Sequence, residues 1–597
     1  MERSGRRIRE SEDNPRGVKG LTHLRVDPVT VEVVRGGLIY AAEEMGIALR
    51  KSAFSPNIKE RMDHSCAILD SERRMVAQAE HIPVHLGSMA LAVRMGLDHY
   101  RGRLEQGDML ILNDPYISGT HLPDITLIAP AYYQGELIAF LANKAHHSDV
   151  GGKTPGSLAG DASELFQEGV IIPPVKFVKS GEIDAELLDL ILANVRTPEV
   201  RMGDLRAQLA ANVLGIRRTL EIAEKLGVKK LHAAMDAIME YSEQRMRAEI
   251  EKMPKGTYEA EDYLEDTGVT DEPAKIKVTI TIEGDRIRID YTGTAQQVEG
   301  PVNAPLGVTL SGVYYTLISV TDPTIPNNDG CYRSVEVKVP SGCMLNPVKP
   351  AAVAGGNVET SQRNVDVLLK TFAQIVPAKV CAAGQGTMNN VSMGGIDPST
   401  GKAWTLYETI AGGYGGRPGL DGVDGVHVHM TNTMNTPVEA LEAGYPVRFL
   451  SYQLRPDTGG PGKWRGGCGV ERSWMLLSSS ATLSVLGERH KLRPWGLYGG
   501  QPGGLGQYMI KKAEGTTQTL RSKCTVKISH GDAIIIRTPG GGGYGDPFER
   551  DPSLVQRDVA NGLVSTQSAR HDYGVVIDQD NMSLDLPATN SVRKRGR

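Results

Sequence analysis

With 597 residues, 40% of them hydrophobic and 23% charged, the chain has the composition of a globular protein and the length for roughly three or four domains. A net charge of -5 and only 5% aromatic residues, with a pI near 6.3, argue against a nucleic-acid surface, which would need basic stripes and stacking rings. No apolar run approaches the ~20 residues of a membrane span, no apolar stretch follows the basic start MERSGRRIRESEDNPRGVKG, and the six cysteines have no CxxC spacing, so a reduced, cytoplasmic protein is expected.

Residues 1–25 are polar and without pattern, and read as a flexible tail. From Asp27, the apolar positions Val31, Val34, Leu38, Ala41, Met45 and Leu49 recur at helical spacing behind an Asp-Pro start. CAILDSERRMVAQ reads as two short strands around a turn, HIPVHLGSMALAVRMGLDHY as a helix, and DMLILND and ITLIAPAYYQGELIAFLANKAH as strands with Gln134-Gly135 as a hairpin turn. Residues 184–252 carry apolar residues three and four apart with no interior proline, which predicts helices whose Met-rich face packs in a core. KIKVTITIEGDRIRIDYTGT alternates strictly across Glu283-Gly284-Asp285, a second hairpin. Helices are expected near 305–320 and 358–376. Beyond about residue 380 the glycines crowd into AGGYGGRPG, DTGGPGKWRGGCG, YGGQPGG and TPGGGGYGDP, punctuating short strands, with a last helix at DPSLVQRDVANGL.

The expected fold class is α+β (mixed α/β), a large multi-domain body with a glycine-rich, β-rich C-terminal region. Its expected parts are the 1–25 tail, a metal-binding α/β region at 26–183, a helical region at 184–255, an α/β region with a β-hairpin at 256–380, the glycine-rich region at 381–575, and a flexible C-terminal tail at 576–597.

No ready-made catalytic motif is present. GGPGKW lacks the GxxxxGK[ST] spacing that cradles phosphates, and GGGGYGDP lies outside any strand, GxGxxG and helix order, so turns or close backbone crossings are the expected role of these glycines. There is no GxSxG elbow and no HExxH. The histidines are more informative: 64, 81, 85, 121, 146 and 147 fall in one stretch with Glu60, Asp63, Asp114, Asp124 and Asp149 among them. His with Asp or Glu is the donor set of a divalent ion of the Zn or Mn type. HLPD sets His121 and Asp124 three apart, and the strands that follow return AHHSD alongside. The same residues also suit a well-hydrogen-bonded loop, and composition alone leaves both readings open. Asp114, between Asn and Pro, reads as a turn residue. Glu80, His81 and His85 can extend the cluster or line its pocket and are not assigned as ligands.

The motifs SPNIKERMDHSCAILD, HIPVHLGSM, NDPYISGTHLPDITL, AHHSDVGGKTPGS, QEGVIIPPVK, GDLRAQLAAN, GGNVETSQR, LRPDTGGPGKWRGGCG and PGGGGYGDP resemble those of the hydantoinase B family. That family includes the B-type subunits of ATP-dependent hydantoinases, the matching half of 5-oxoprolinase, and subunits of acetone and acetophenone carboxylases. The resemblance implies a hydantoinase A-type partner that binds ATP with Mg and phosphorylates a cyclic amide, and a metal-bound water on this chain that attacks it. It implies metal ligands at His121, Asp124 and His146, with Glu60 or Asp63 as the fourth, holding Zn or Mn, or Fe. A nearby unligated carboxylate or His147 is the expected proton acceptor, with an outward spectator as the alternative for His147. His64 stands where the family often has an aromatic residue. HLPD resembles the hydrolase branch more than the acetone carboxylase pattern, in which Gln-Asn is expected between the His and the Asp. An ATP-dependent ketone carboxylase subunit is the second reading, and a non-catalytic scaffold the third.

Overall fold

The computed structural model describes residues 26–79, 81–100 and 102–595; the expected N-terminal tail lies outside them. Helix α1 (Pro28–Ser52) opens where the Asp27 side chain accepts from the Thr30 amide, and it buries Val34, Leu38, Ala41, Met45 and Leu49. A short turn of helix, α2 (Pro56–Lys59), follows. The strands β1 (His64–Asp70), β2 (Met75–Ala79), β3 (Met109–Leu112), β4 (Asp124–Tyr133), β5 (Glu136–His146), β6 (Val175–Lys179) and β7 (Glu182–Ile183) form one sheet in the order β2-β1-β5-β4-β3-β6-β7. Gln134 and Gly135 both take positive φ, 52° and 84°, which gives the tight β4–β5 turn the twist its strands need.

One face of this sheet is covered by α1, α5 (Ala185–Ala193), α6 (Pro198–Leu226) and α7 (Val228–Glu251). Core residues of α1, α6 and α7 lie in one cluster with residues of β1, β2 and β5. The helical residues 184–255 therefore share a core with the 26–183 region, and the C-terminal end of α7 (Met246, Ile250) also enters the core of the next region. The opposite face takes α3 (Leu86–His99).

The second hairpin forms within a four-stranded sheet, where β8 (Gly256–Leu264), β9 (Ala274–Glu283), β10 (Arg286–Asp290) and β11 (Val335–Lys338) lie in the order β11-β10-β9-β8. Helices α4 (Pro115–Ser118), α8 (Leu306–Val320) and α9 (Ser361–Phe372) complete this half, and α9 is entered through a π-turn at Gly356–Thr360.

The C-terminal half is β-rich. One sheet has the order β13-β12-β16-β19, from β12 (Asn390–Ile396), β13 (Ala403–Thr409), β16 (Ser480–Leu486) and β19 (Lys523–Ser529). The other has the order β14-β15-β20-β17-β18, from β14 (Val447–Leu454), β15 (Val470–Leu476), β17 (Gln507–Lys511), β18 (Thr517–Thr519) and β20 (Ala533–Arg537). Val391, Leu483, Trp474, Ile534 and Ile536 from the two sheets share one core.

The glycine-rich segments are close backbone crossings. The Gly541 amide donates to Gly467 O, that of Gly542 to Ala383 O and that of Gly543 to Gln501 O. A Cβ on Gly540, Gly541, Gly542 or Gly543 would overlap the carbonyl oxygen of Thr458, Tyr414, Trp495 or Pro461 respectively. These glycines are needed for room and not for phosphate.

Two C-terminal expectations are corrected. The helix at Pro552–Ala560 is followed by helices at Thr566–Tyr573 and Leu586–Arg595, so 576–595 is not a tail. The Val576 amide donates to the Thr589 hydroxyl, and Arg593 donates to the carbonyls of Tyr573 and Arg550. Polar anchors of this kind leave no apolar periodicity to read.

Gly541→Ala is expected to lower the apparent unfolding temperature strongly, at or above the ~1–3 kcal/mol of an overpacked core. Gly444→Ala, where added volume meets open space, should leave it nearly unchanged in the same thermal scan.

Candidate metal centre

The loop before β4 is shaped by its own polar side chains. Asn113 donates to Leu122 O (2.8 Å) and Val170 O (3.0 Å) and accepts from the Ile172 amide (2.6 Å). Asp114 accepts from the Tyr116 amide (3.1 Å) to cap α4 and pairs with Lys349 (2.9 Å), the turn role expected of it. The chain then reaches His121, and Asp124 begins β4 directly opposite His146 at the end of β5.

Three donor atoms converge there. His121 Nε2 lies 3.2 Å from Asp124 Oδ1 and 3.0 Å from His146 Nδ1, and that Nδ1 lies 3.1 Å from the same oxygen. His121 and Asp124 are 1% exposed and His146 2%. His121 Nδ1 faces Ala354 O at 3.4 Å; a proton placed there leaves Nε2 with its lone pair toward the cluster. Asp124 Oδ2 and His146 Nε2 are buried with no hydrogen-bond partner. Ligands about 2.0–2.2 Å from a tetrahedral ion sit a little over 3 Å apart, so the spacing and the donor set fit a divalent cation.

Asp63 lies beside this group and Glu60 does not. Asp63 lines the same small cavity as His121, Asp124 and His146, and its carbonyl accepts from the His146 amide at 3.0 Å. Glu60 ends α2, half-buried, and is not a cavity residue. His147 points the other way, because adjacent residues at a strand end face opposite sides: its Nε2 meets Gln208 Oε1 of α6 at 2.9 Å. Of the three residues left unassigned from the sequence, His85 reaches the cavity. It lines the cavity with Nε2 3.6 Å from Asp124 Oδ2 and Nδ1 2.9 Å from Ser65 Oγ. Tyr407 of β13 stacks on the His146 ring at 4.6 Å, and the Arg61 guanidinium lies 4.9 Å from the centre of the Tyr407 ring. His64 is buried against His81, ring centroids 4.8 Å apart; Glu80 lies outside the described residues.

Burial by itself would raise the Asp124 carboxyl, but His121, His146 and His85 outweigh it and hold it well below the usual carboxylate range. Burial pulls His121 down, yet Asp124 beside it raises it overall. Burial pushes Asp63 up against the opposing pull of His146 and Arg61. The cavity itself is about 20 Å³, room for an ion or a water.

A family model described as hydantoinase B/oxoprolinase matches residues 27–547. The chain belongs to this family. It is 46% identical over 573 residues to an uncharacterized protein of Methanocaldococcus jannaschii, covering 95% of this chain and all of that one. It is 36% identical to a putative D-/L-hydantoinase B chain of a Pseudomonas strain, over 96% of this chain and 98% of the relative. It is 37% identical to 5-oxoprolinase 1 of Arabidopsis thaliana, over 87% of this chain but only 42% of that protein. An ATP-dependent caprolactamase from Pseudomonas jessenii superposes with a TM-score of 0.88 at 31% identity, over 95% of this chain and all of that one. An acetone carboxylase chain shares the fold, with a TM-score of 0.89 at 22% identity over 97% and 84% of the two chains. Among the described residues, no helix is long and apolar enough to cross a membrane.

This hydantoinase B family chain keeps several histidines neutral by burial: His427 is pushed down to about 3, and His147 and His490 to about 4. The unfolded chain binds those protons below about pH 6.5 while the folded chain resists them, so stability falls as pH drops from about 6.5 to 4. The apparent unfolding temperature of metal-free protein should fall over that window, and His427→Gln should flatten the fall; an unchanged slope would contradict this assignment.

Proposed function

We propose that the chain is the metal-binding B-type subunit of an ATP-dependent cyclic amide hydrolase, working with an A-type partner that binds ATP with Mg. The observation that carries this is the convergence of His121 Nε2, Asp124 Oδ1 and His146 Nδ1 at 3.0–3.2 Å in a small, largely buried cavity with Asp63 on its wall. The 31% identity to a caprolactamase over nearly the whole chain supports the substrate class, and the missing phosphate loop supports a partner that handles ATP.

An amide is a poor electrophile. Transfer of a phosphoryl group from ATP to its oxygen gives an imidate-like ester whose carbon water attacks and from which phosphate leaves. His121, Asp124, His146 and Asp63 would hold the cation, with Zn, Mn or Fe all suited to two imidazoles and two carboxylates. Such an ion, when bound, lowers the pKa of water toward about 7 and polarises an oxygen.

The remaining work belongs to the side chains around them. Ala354 O orients His121, Tyr407 braces the His146 ring, and the enclosing walls exclude bulk water. Proton acceptance falls to a cavity group, and His85, which burial favours as neutral imidazole, fits that task better than His147, which is committed to Gln208.

Metal analysis of the purified chain tests the site. Stoichiometric Zn, Mn or Fe is expected in the wild type and should be lost in His121→Ala, Asp124→Ala and His146→Ala; unchanged content in all three overturns it. Asp63→Ala should lose metal and Glu60→Ala should keep it, while Tyr407→Ala should weaken metal binding about 10- to 100-fold as a supporting contact. With the partner present, ATP turnover should require a cyclic amide and be indifferent to bicarbonate. Turnover that needs a ketone and bicarbonate would instead make this an ATP-dependent carboxylase subunit.

A further inference from the structure

A cavity of about 670 Å³ shares no lining residue with the metal centre. It lies within the size range of small-molecule sites, roughly 300–1,000 Å³, and is built from five separated stretches: the loop after β8 (Asp266, Asp271), Arg455 just beyond β14, His490 and Lys491 after β16, residues 505–507 leading into β17, and residues 519–522, with Arg521, before β19.

Its charges are unequally matched. Asp266 is satisfied by the Ser522 hydroxyl (2.7 Å) and Lys523 (3.3 Å). Asp271 is shared by Arg521 (2.9 Å) and Lys491 (3.5 Å). Arg455 forms no ion pair among the described residues. Its Nη1 donates to the carbonyls of Leu505 (3.0 Å) and Thr538 (2.6 Å), which fixes the guanidinium plane, while its Nε and Nη2 donate to none of the described residues. A half-buried guanidinium without a carboxylate is costly unless an anion joins it.

A second, independent feature points the same way. His490 Nε2 is buried without a hydrogen-bond partner. The loop carrying it is held rigid by Glu265, whose carboxylate accepts from the amides of His490, Lys491 and Leu492 at 2.9, 2.7 and 3.2 Å. The ring stands edge-on to Tyr508 at 4.4 Å. A preformed imidazole and a preformed guanidinium thus wall one cavity, each with hydrogen-bonding capacity unused.

We propose that this cavity binds a small anion, a carboxylate- or phosphate-bearing molecule, with its anionic group on Arg455 and a polar group against His490. The Lys491 and Arg521 rim, two cations sharing one acid, draws the ligand in. Arg455 is the second residue of the segment LRPDTGGPGKWRGGCG, for which the metal centre has no use.

Titration calorimetry on the full chain with inorganic phosphate and, separately, citrate tests this. Binding of one or both is expected, weakened about tenfold or more by Arg455→Met, the scale of a lost charge-assisted hydrogen-bond pair. Phosphate alone binding would assign a phosphate ligand, and citrate alone a carboxylate. Because Arg455 also ties down two carbonyls, the exposed double variant Lys491→Ala/Arg521→Ala provides a second readout and should weaken binding severalfold without disturbing the fold. His121→Ala should bind as the wild type does, separating this cavity from the metal centre. No binding of either anion by the wild type, or equal binding by Arg455→Met, overturns the proposal.

Discussion

The pairing of Asp124 with His146 across the β4–β5 hairpin is the constraint on which the candidate centre depends. In an antiparallel pair, a slip of one residue turns every side chain to the opposite face. The Gln134-Gly135 turn together with the register shift at Ala131/Tyr132 sets the register at one end, and the amides of His146 and His147, donating to Asp63 O and Pro123 O, hold it at the other. Asp63 is carried to the same place because β1 runs beside β5, with His64 opposite Ala145.

That hairpin is braced from its far face by a buried polar layer, which gives the α6 motif GDLRAQLAAN a purpose. Asn143 donates to Gln208 O and Asn212 Oδ1, and Gln208 donates to Ile125 O and Asn143 Oδ1. Asp204 pairs with Arg201 and accepts from the amides of Phe54 and Ser55, fixing the chain just ahead of Asp63. His147 belongs to this layer. Buried polar groups joined in this way resist repacking, since each broken bond leaves an unsatisfied partner in a low dielectric.

The β-rich half contributes walls. Tyr407 and Thr409 of β13, Met388, and the segment around Met430–Thr433 close the cavity from the side opposite the hairpin, and the π-turn ahead of α9 brings Asn357 and Val358 against it. Residues more than two hundred positions from HLPD therefore wall the candidate metal centre, and the stacked glycine backbones position the strands that carry some of them.

Local pattern was enough for much of this. The 3.6-residue period of α1 and α6, the alternation of β9 and β10 and the turn chemistry of Gln134-Gly135 are short-range preferences, and the sequence alone determined those elements and the absence of a phosphate loop, while the family and the grouping of His121, Asp124 and His146 came from the resemblance of whole motifs. It could not decide which acid of KERMDHS meets the cavity, because Glu60 and Asp63 are divided by a positive-φ turn at Met62 that no periodicity announces. The motif resemblance points to His146 of AHHSD, and strand parity at the hairpin's end supplies the physical reason that His147 turns away toward Gln208. His85 needed the whole fold: it reaches Asp124 only because a 3₁₀ turn at Pro83–His85 is packed beneath α8. The cavity around Arg455 is likewise a product of tertiary structure, assembled from loops scattered over more than two hundred and fifty residues, because an unmatched charge can be recognised only when every neighbour that might have matched it is in place.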